Sequence, residues 1–67
     1  MTLKEANDRV AGIIAAGKTD DERAHGEEDR LYEDVLRHIA KHGDPPSASL
    51  AETVLQTQSA NFARWCA

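Results

Sequence analysis

Residues 31–43 read LYEDVLRHIAKHG, and their apolar spacing decides the fold class. Leu31, Tyr32, Val35, Leu36, Ile39 and Ala40 recur at intervals of three and four, the period of one face of an α-helix. Lys41 and His42 sit where a helix C-terminus favours positive charge, and Gly43 is a stop signal reinforced by Pro45 and Pro46. The chain has no sustained apolar–polar alternation that would argue for strands.

Working outward, Thr2-Leu3-Lys4-Glu5, Thr19-Asp20-Asp21-Glu22 and Ser49-Leu50-Ala51-Glu52 all have the form S/T-x-x-E. At a helix start, that spacing lets the hydroxyl accept from the N3 amide while the Glu carboxylate accepts from the N-cap amide. Each opens a segment with helical periodicity. The first carries Leu3, Ala6, Val10, Ile13 and Ile14 on one face and ends at Gly17; Gly12 weakens it by about 1 kcal/mol relative to Ala. The second runs from roughly Asp20 to His42, and its apolar stripe fades before Leu31. Extended backwards, the stripe meets Glu28, His25 and Ala24. Residues 20–29, DDERAHGEED, therefore either project into solvent or change direction near Gly26. The third starts at Ser49 with Leu50, Ala51, Val54 and Leu55 on one side, and the same phase reaches Phe62 and Trp65. One long helix, or two with Ser59 capping a final turn, are both compatible with this pattern.

The expected fold is all-α: a small bundle of three principal helices, with room for a short fourth C-terminal turn, forming a single domain over residues 1–67. Its expected core is Val10, Ile13, Ile14, Leu31, Val35, Leu36, Ile39, Leu50, Val54, Leu55, Phe62 and Trp65, with Arg64 turned away and Cys66 incidental. A domain of this size buries only about 60% of its unfolded surface, so a homodimer is one way to enlarge the core.

Composition narrows function by exclusion. A net charge of −4 with 30% charged residues suits a globular protein and disfavours direct binding to nucleic-acid phosphates. One Cys cannot form an intramolecular disulfide. With no basic leader, h-region or membrane-length apolar run, a cytoplasmic location and no membrane association are expected. Phosphate-binding Gly loops, nucleophile elbows and paired catalytic carboxylates are missing, so no catalytic residue and no cofactor are assigned and the chain is read as a non-enzyme.

Two clusters remain. Asp34, His38 and His42 at i, i+4, i+8 are ligand types for zinc or non-haem iron, which makes a metal-binding module using His38 and His42 one alternative. The strip turns by about 40° per four residues, however, so helix electrostatics accounts for it as well and no metal is assigned. The acidic run supplies the protein-interaction candidates Asp21, Glu22, Glu27, Glu28 and Asp29, which would steer the chain to a basic protein partner. A second alternative is an acidic inhibitor that mimics nucleic acid on a DNA- or RNA-binding protein. The plain reading of the same run is helix-dipole complementation plus a solvated face.

From Glu28 to Ala67, the stretch EDRLYEDVLRHIAKHG and the ending FARWCA resemble a group of short bacterial and phage-associated proteins with an F-x-R-W-x-A terminus. Phe62, Arg64, Trp65 and Ala67 carry the resemblance most specifically. It implies a bacterial or phage setting and no activity, cofactor or catalytic residue. The expected function is a small acidic protein-interaction or regulatory module, self-association included.

Overall fold

In the computed structural model, which describes residues 1–60, the order of elements is α1 (Leu3–Gly17), α2 (Asp21–His42), α3 (Pro45–Leu55) and a 3-10 turn (Gln56–Ser59) that continues α3 directly. No strand occurs among the described residues. The expectations for Phe62, Arg64, Trp65, Cys66 and Ala67 lie outside them.

The first cap forms as its sequence dictates. Thr2 Oγ1 accepts from the Glu5 amide at 3.1 Å, and Glu5 Oε1 accepts from the Thr2 amide at 3.1 Å. The Thr2 amide first, and the Thr2 hydroxyl after it, bond to the Glu5 carboxyl and hold it below its ordinary value. The second cap falls one residue later than the S/T-x-x-E pattern indicates. Asp20 is the N-cap and accepts from the Arg23 amide at 3.0 Å, while the Thr19 amide donates to Ala16 and helps close α1. The third differs most: α3 begins four residues before Ser49. Asp44 caps it by accepting from the Ser47 amide at 3.4 Å, and Pro45 and Pro46 occupy its first turn. Proline fits there because the first-turn amides have no helical partner and its fixed φ is already helical. Ser49 is thus an internal residue, its carbonyl accepting from Thr53 Oγ1 at 2.9 Å.

Gly26 does not break α2, which runs unbroken for 22 residues with Asp21 and Glu22 in its first turn and Lys41 and His42 in its last. At 1.5 Å per residue it spans about 33 Å. α1 returns along one side of it: Arg9 Nη1 donates to Asp34 Oδ2 at 2.8 Å, and Gly17 lies against Ala24 at the opposite end. α3 returns along the other side, and Gln58, in the turn that continues it, lines one cleft with His25, Asp29 and Leu36. Both flanking helices are antiparallel to α2, and among the described residues they do not touch each other. The Cα atoms extend over 40 × 33 × 10 Å, so the helices form a bundle one layer thick.

That layer corrects the expected core. Among the described residues only Leu31 (7% exposed) and Ala51 (3%) are buried. Ile13, Val35, Leu36, Ile39 and Leu55 are half-buried, whereas Val10, Ile14, Leu50 and Val54 are exposed. On α1 the covered line is Ala6, Arg9, Ile13 and Ala16, rotated away from the stripe that apolarity alone picks out. The Arg9–Asp34 ion pair and the close approach of Gly17 to Ala24 lie along this covered line.

The glycines differ in what they allow. A Cβ on Gly12 or Gly26 meets nothing within 4 Å, whereas on Gly43 it lies 2.6 Å from the Ile39 carbonyl oxygen. Gly12→Ala and Gly26→Ala should each raise stability by about 1 kcal/mol in chemical denaturation. Gly43→Ala should lower it by more than about 1 kcal/mol, because the α2–α3 turn must open.

Candidate interaction surface

The acidic residues of α2 do not gather into one surface. Helical phase spreads them round the axis, and most have a partner. Glu27 accepts from Arg23 Nε at 3.0 Å, and Asp29 lies 3.7 Å from His25 Nε2. Glu28 accepts from the Tyr32 phenol, which raises the tyrosine above its ordinary value. Further along the helix, Glu33 pairs with Arg37 at 2.9 Å and Asp34 with Arg9 at 2.8 Å. Asp21 and Glu22 stand exposed in the first turn, where the helix dipole favours them. The candidate set is therefore split: Glu27 on the α1 side, Asp29 and Glu22 on the α3 side, and Glu28 between.

His38 and His42 approach each other, their ring centroids 4.9 Å apart and their planes tilted by 45°. Asp34 does not join them, being held by Arg9. Instead the Met1 ammonium donates to His38 Nδ1 at 2.6 Å, which needs a neutral ring with its proton on Nε2. Among the described residues no three His, Cys, Asp or Glu side chains are grouped so as to hold a metal ion. Partial burial pushes the His38 pKa below its ordinary 6.5; the positive N-terminus and His42 add to this, and Glu5 opposes it.

The third feature was not singled out by the motifs. Leu3, Val10 and Ile14 form a strip on α1, and Leu50 and Val54 a shorter one on α3. At 100° per residue, each strip lies roughly 90° round its helix from the line that faces α2. Because both helices run antiparallel to α2, the rotation carries both strips to the same side of the layer, the side of Val35 and Ile39. The opposite side of the layer carries Arg23, Arg30, Arg37 and Lys41 of α2, and a cleft there is lined by Arg9, Gly12, Ile13, Arg23, Glu27 and Arg30. The side that carries the strips is thus the richer in exposed apolar side chains, although Asp21 and Glu28 of α2 share the helical phase of Val35 and Ile39 there. Leu3 is 78%, Ile14 62% and Leu50 68% exposed. On the two strips the intervening positions are Asn7 and Thr53, with no charged side chain. Alternating exposure along a single helix is what sequence periodicity reports, but which strip a neighbour covers depends on the interhelical phase.

Among known proteins, no family model matches the chain, and neither a curated protein nor a solved structure matches it significantly. The class defined by the coordinates alone is a three-helix, single-layer α protein in which no helix among the described residues is long and apolar enough to cross a membrane.

The lowered His38 pKa fixes the sign of one pH effect. Between the folded value and 6.5, the unfolded chain binds more protons than the folded one, so stability falls as pH drops through that window. The thermal midpoint should decline from about pH 7.5 to about pH 5.5, and His38→Gln should flatten the decline. The Arg9–Asp34 pair, about a third exposed on each partner, should show a double-mutant coupling below about 1 kcal/mol in denaturant unfolding.

Proposed function

We propose that the chain is a small non-enzymatic protein-interaction or regulatory module that works through the apolar face of its helical layer. The observation that carries this reading is the exposure of Leu3, Ile14 and Leu50 on one side of the layer, on strips without charge. Exposed apolar strips of that kind are surfaces on which a partner can dock. Asp21 and Glu22, exposed at the head of α2, add a local negative potential that favours a partner with basic residues at the rim. The resemblance of residues 28–67 to short bacterial and phage-associated proteins makes a bacterial cytoplasm, or a phage-infected one, the setting in which to seek it.

Affinity capture with the wild-type chain and with Leu50→Glu tests the reading. The wild type should retain a stoichiometric protein partner, a further copy of the chain included, and Leu50→Glu should lose it while its helical circular dichroism is unchanged. A partner held equally by both forms, or catalytic turnover by the isolated chain, counts against it.

A further inference from the structure

We infer that the cleft between α1 and α2, on the side of the layer away from the apolar strips, binds a small phosphate-type dianion: inorganic phosphate or a phosphate monoester. The site goes beyond the interaction module and is independent of the strips that carry it.

The cleft encloses about 400 Å³. Among the described residues it is lined by Arg9, Gly12 and Ile13 of α1 and by Arg23, Glu27 and Arg30 of α2. Three guanidinium groups against one carboxylate leave two positive charges in excess, in a chain whose net charge is −4. Helical spacing explains the convergence. Arg23, Glu27 and Arg30 follow one another at four and three residues, so they project from one side of α2. Arg9 arrives from the antiparallel α1 and meets Asp34, one turn beyond Arg30. Between them the α1 wall is bare, because Gly12 has no side chain and an added Cβ there meets nothing within 4 Å.

The donors are available. The Arg30 side chain makes no hydrogen bond or ion pair among the described residues. Arg9 uses Nη1 on Asp34 and Arg23 uses Nε on Glu27, which leaves most of the five N–H groups of each guanidinium uncommitted. Such planar forks take two phosphate oxygens at once and keep their charge throughout the working pH range. A phosphate group presents three acceptor oxygens, enough to reach forks on both helices, and its double charge matches the excess in the cleft. A carboxylate brings one charge and two oxygens. The overall acidity of the chain does not oppose this, since exposed charges are screened beyond about 8 Å at physiological ionic strength. Glu27 and Asp34 are the carboxylates within that reach, and an arginine already neutralises each. Half-buried Ile13 supplies the apolar part of the lining, against which the organic group of a monoester can lie. Because the site draws on both helices, a bound dianion ties α1 to α2 and stabilises the folded chain.

Titration calorimetry and thermal unfolding of the full chain at pH 7.5 test this, with chloride exchanged for inorganic phosphate or phenyl phosphate at constant ionic strength. The wild type should bind one anion per chain, and its thermal midpoint should rise to a plateau. Arg30→Gln removes a guanidinium that has no partner to lose, so it should weaken binding about tenfold or more while the anion-free midpoint stays unchanged. Lys41→Gln makes the same charge change on α2 outside the cleft and should bind as the wild type does. Glu27→Gln should tighten binding by removing the competing carboxylate. Tighter binding of phenyl phosphate than of inorganic phosphate assigns the site to monoesters, and the reverse order assigns it to the free ion. A midpoint that rises without a plateau, or equally in Arg30→Gln, is a general salt effect and overturns the site. Equal losses in Arg30→Gln and Lys41→Gln overturn it as well, because they show long-range charge and no cleft. If Arg30→Gln does not fold, Gly12→Glu decides by placing a carboxylate in the cleft: binding should vanish, and binding that persists overturns the inference.

Discussion

Everything in this protein is built on α2. Among the described residues it is the only element that both other helices touch, and it remains continuous through Gly26, where the sequence invites a bend. Because α1 and α3 take opposite sides of it, neither can cover the other. The flatness follows from that arrangement and not from any weakness in the individual helices. Caps at Thr2, Asp20 and Asp44 start each helix firmly, so local structure is well specified even where tertiary burial is sparse.

The helices and their number were readable from the sequence, since periodicity and caps are local and are written in neighbouring residues. The Thr2 box formed with both of its bonds. The Ser49 pattern misled because an Asp followed by two prolines, just upstream, satisfies the same N-terminal requirement with a residue that cannot do anything else there. Which apolar residues lie inside was not readable in the same way. Val10 and Ile13 are equally apolar, yet one is exposed and the other half-buried. The difference is the rotation of α1 about its axis, the same rotation that brings Arg9 to Asp34 across 25 residues of chain. No window centred on α1 contains that information.

Charge tells a similar story. In sequence, the run from Asp20 to Asp34 looks like one acidic block. In three dimensions a helix distributes it round its circumference, and Arg23, His25, Arg37 and Arg9 each take one carboxylate. Such exposed pairs contribute little individually. Their larger effect is on the field: they leave the head of α2 negative and the body of the helix nearly balanced, while the apolar strips on α1 and α3 stay free of charge.

The lack of contact between α1 and α3 also bears on how the chain folds. Each hairpin, α1–α2 and α2–α3, closes through a short connection, and among the described residues every interhelical contact joins neighbours in sequence. Loop-closure entropy is small for such contacts, and domains made of them assemble on microsecond-to-millisecond timescales. Among the described residues the two hairpins share a helix but no other surface. They therefore behave like adjacent units of a repeat array, coupled only through the order they impose on α2. Fraying of α3 leaves the α1–α2 interface in place, and fraying of α1 leaves the α2–α3 interface, so partial opening from either edge is the cheapest excursion from the native state.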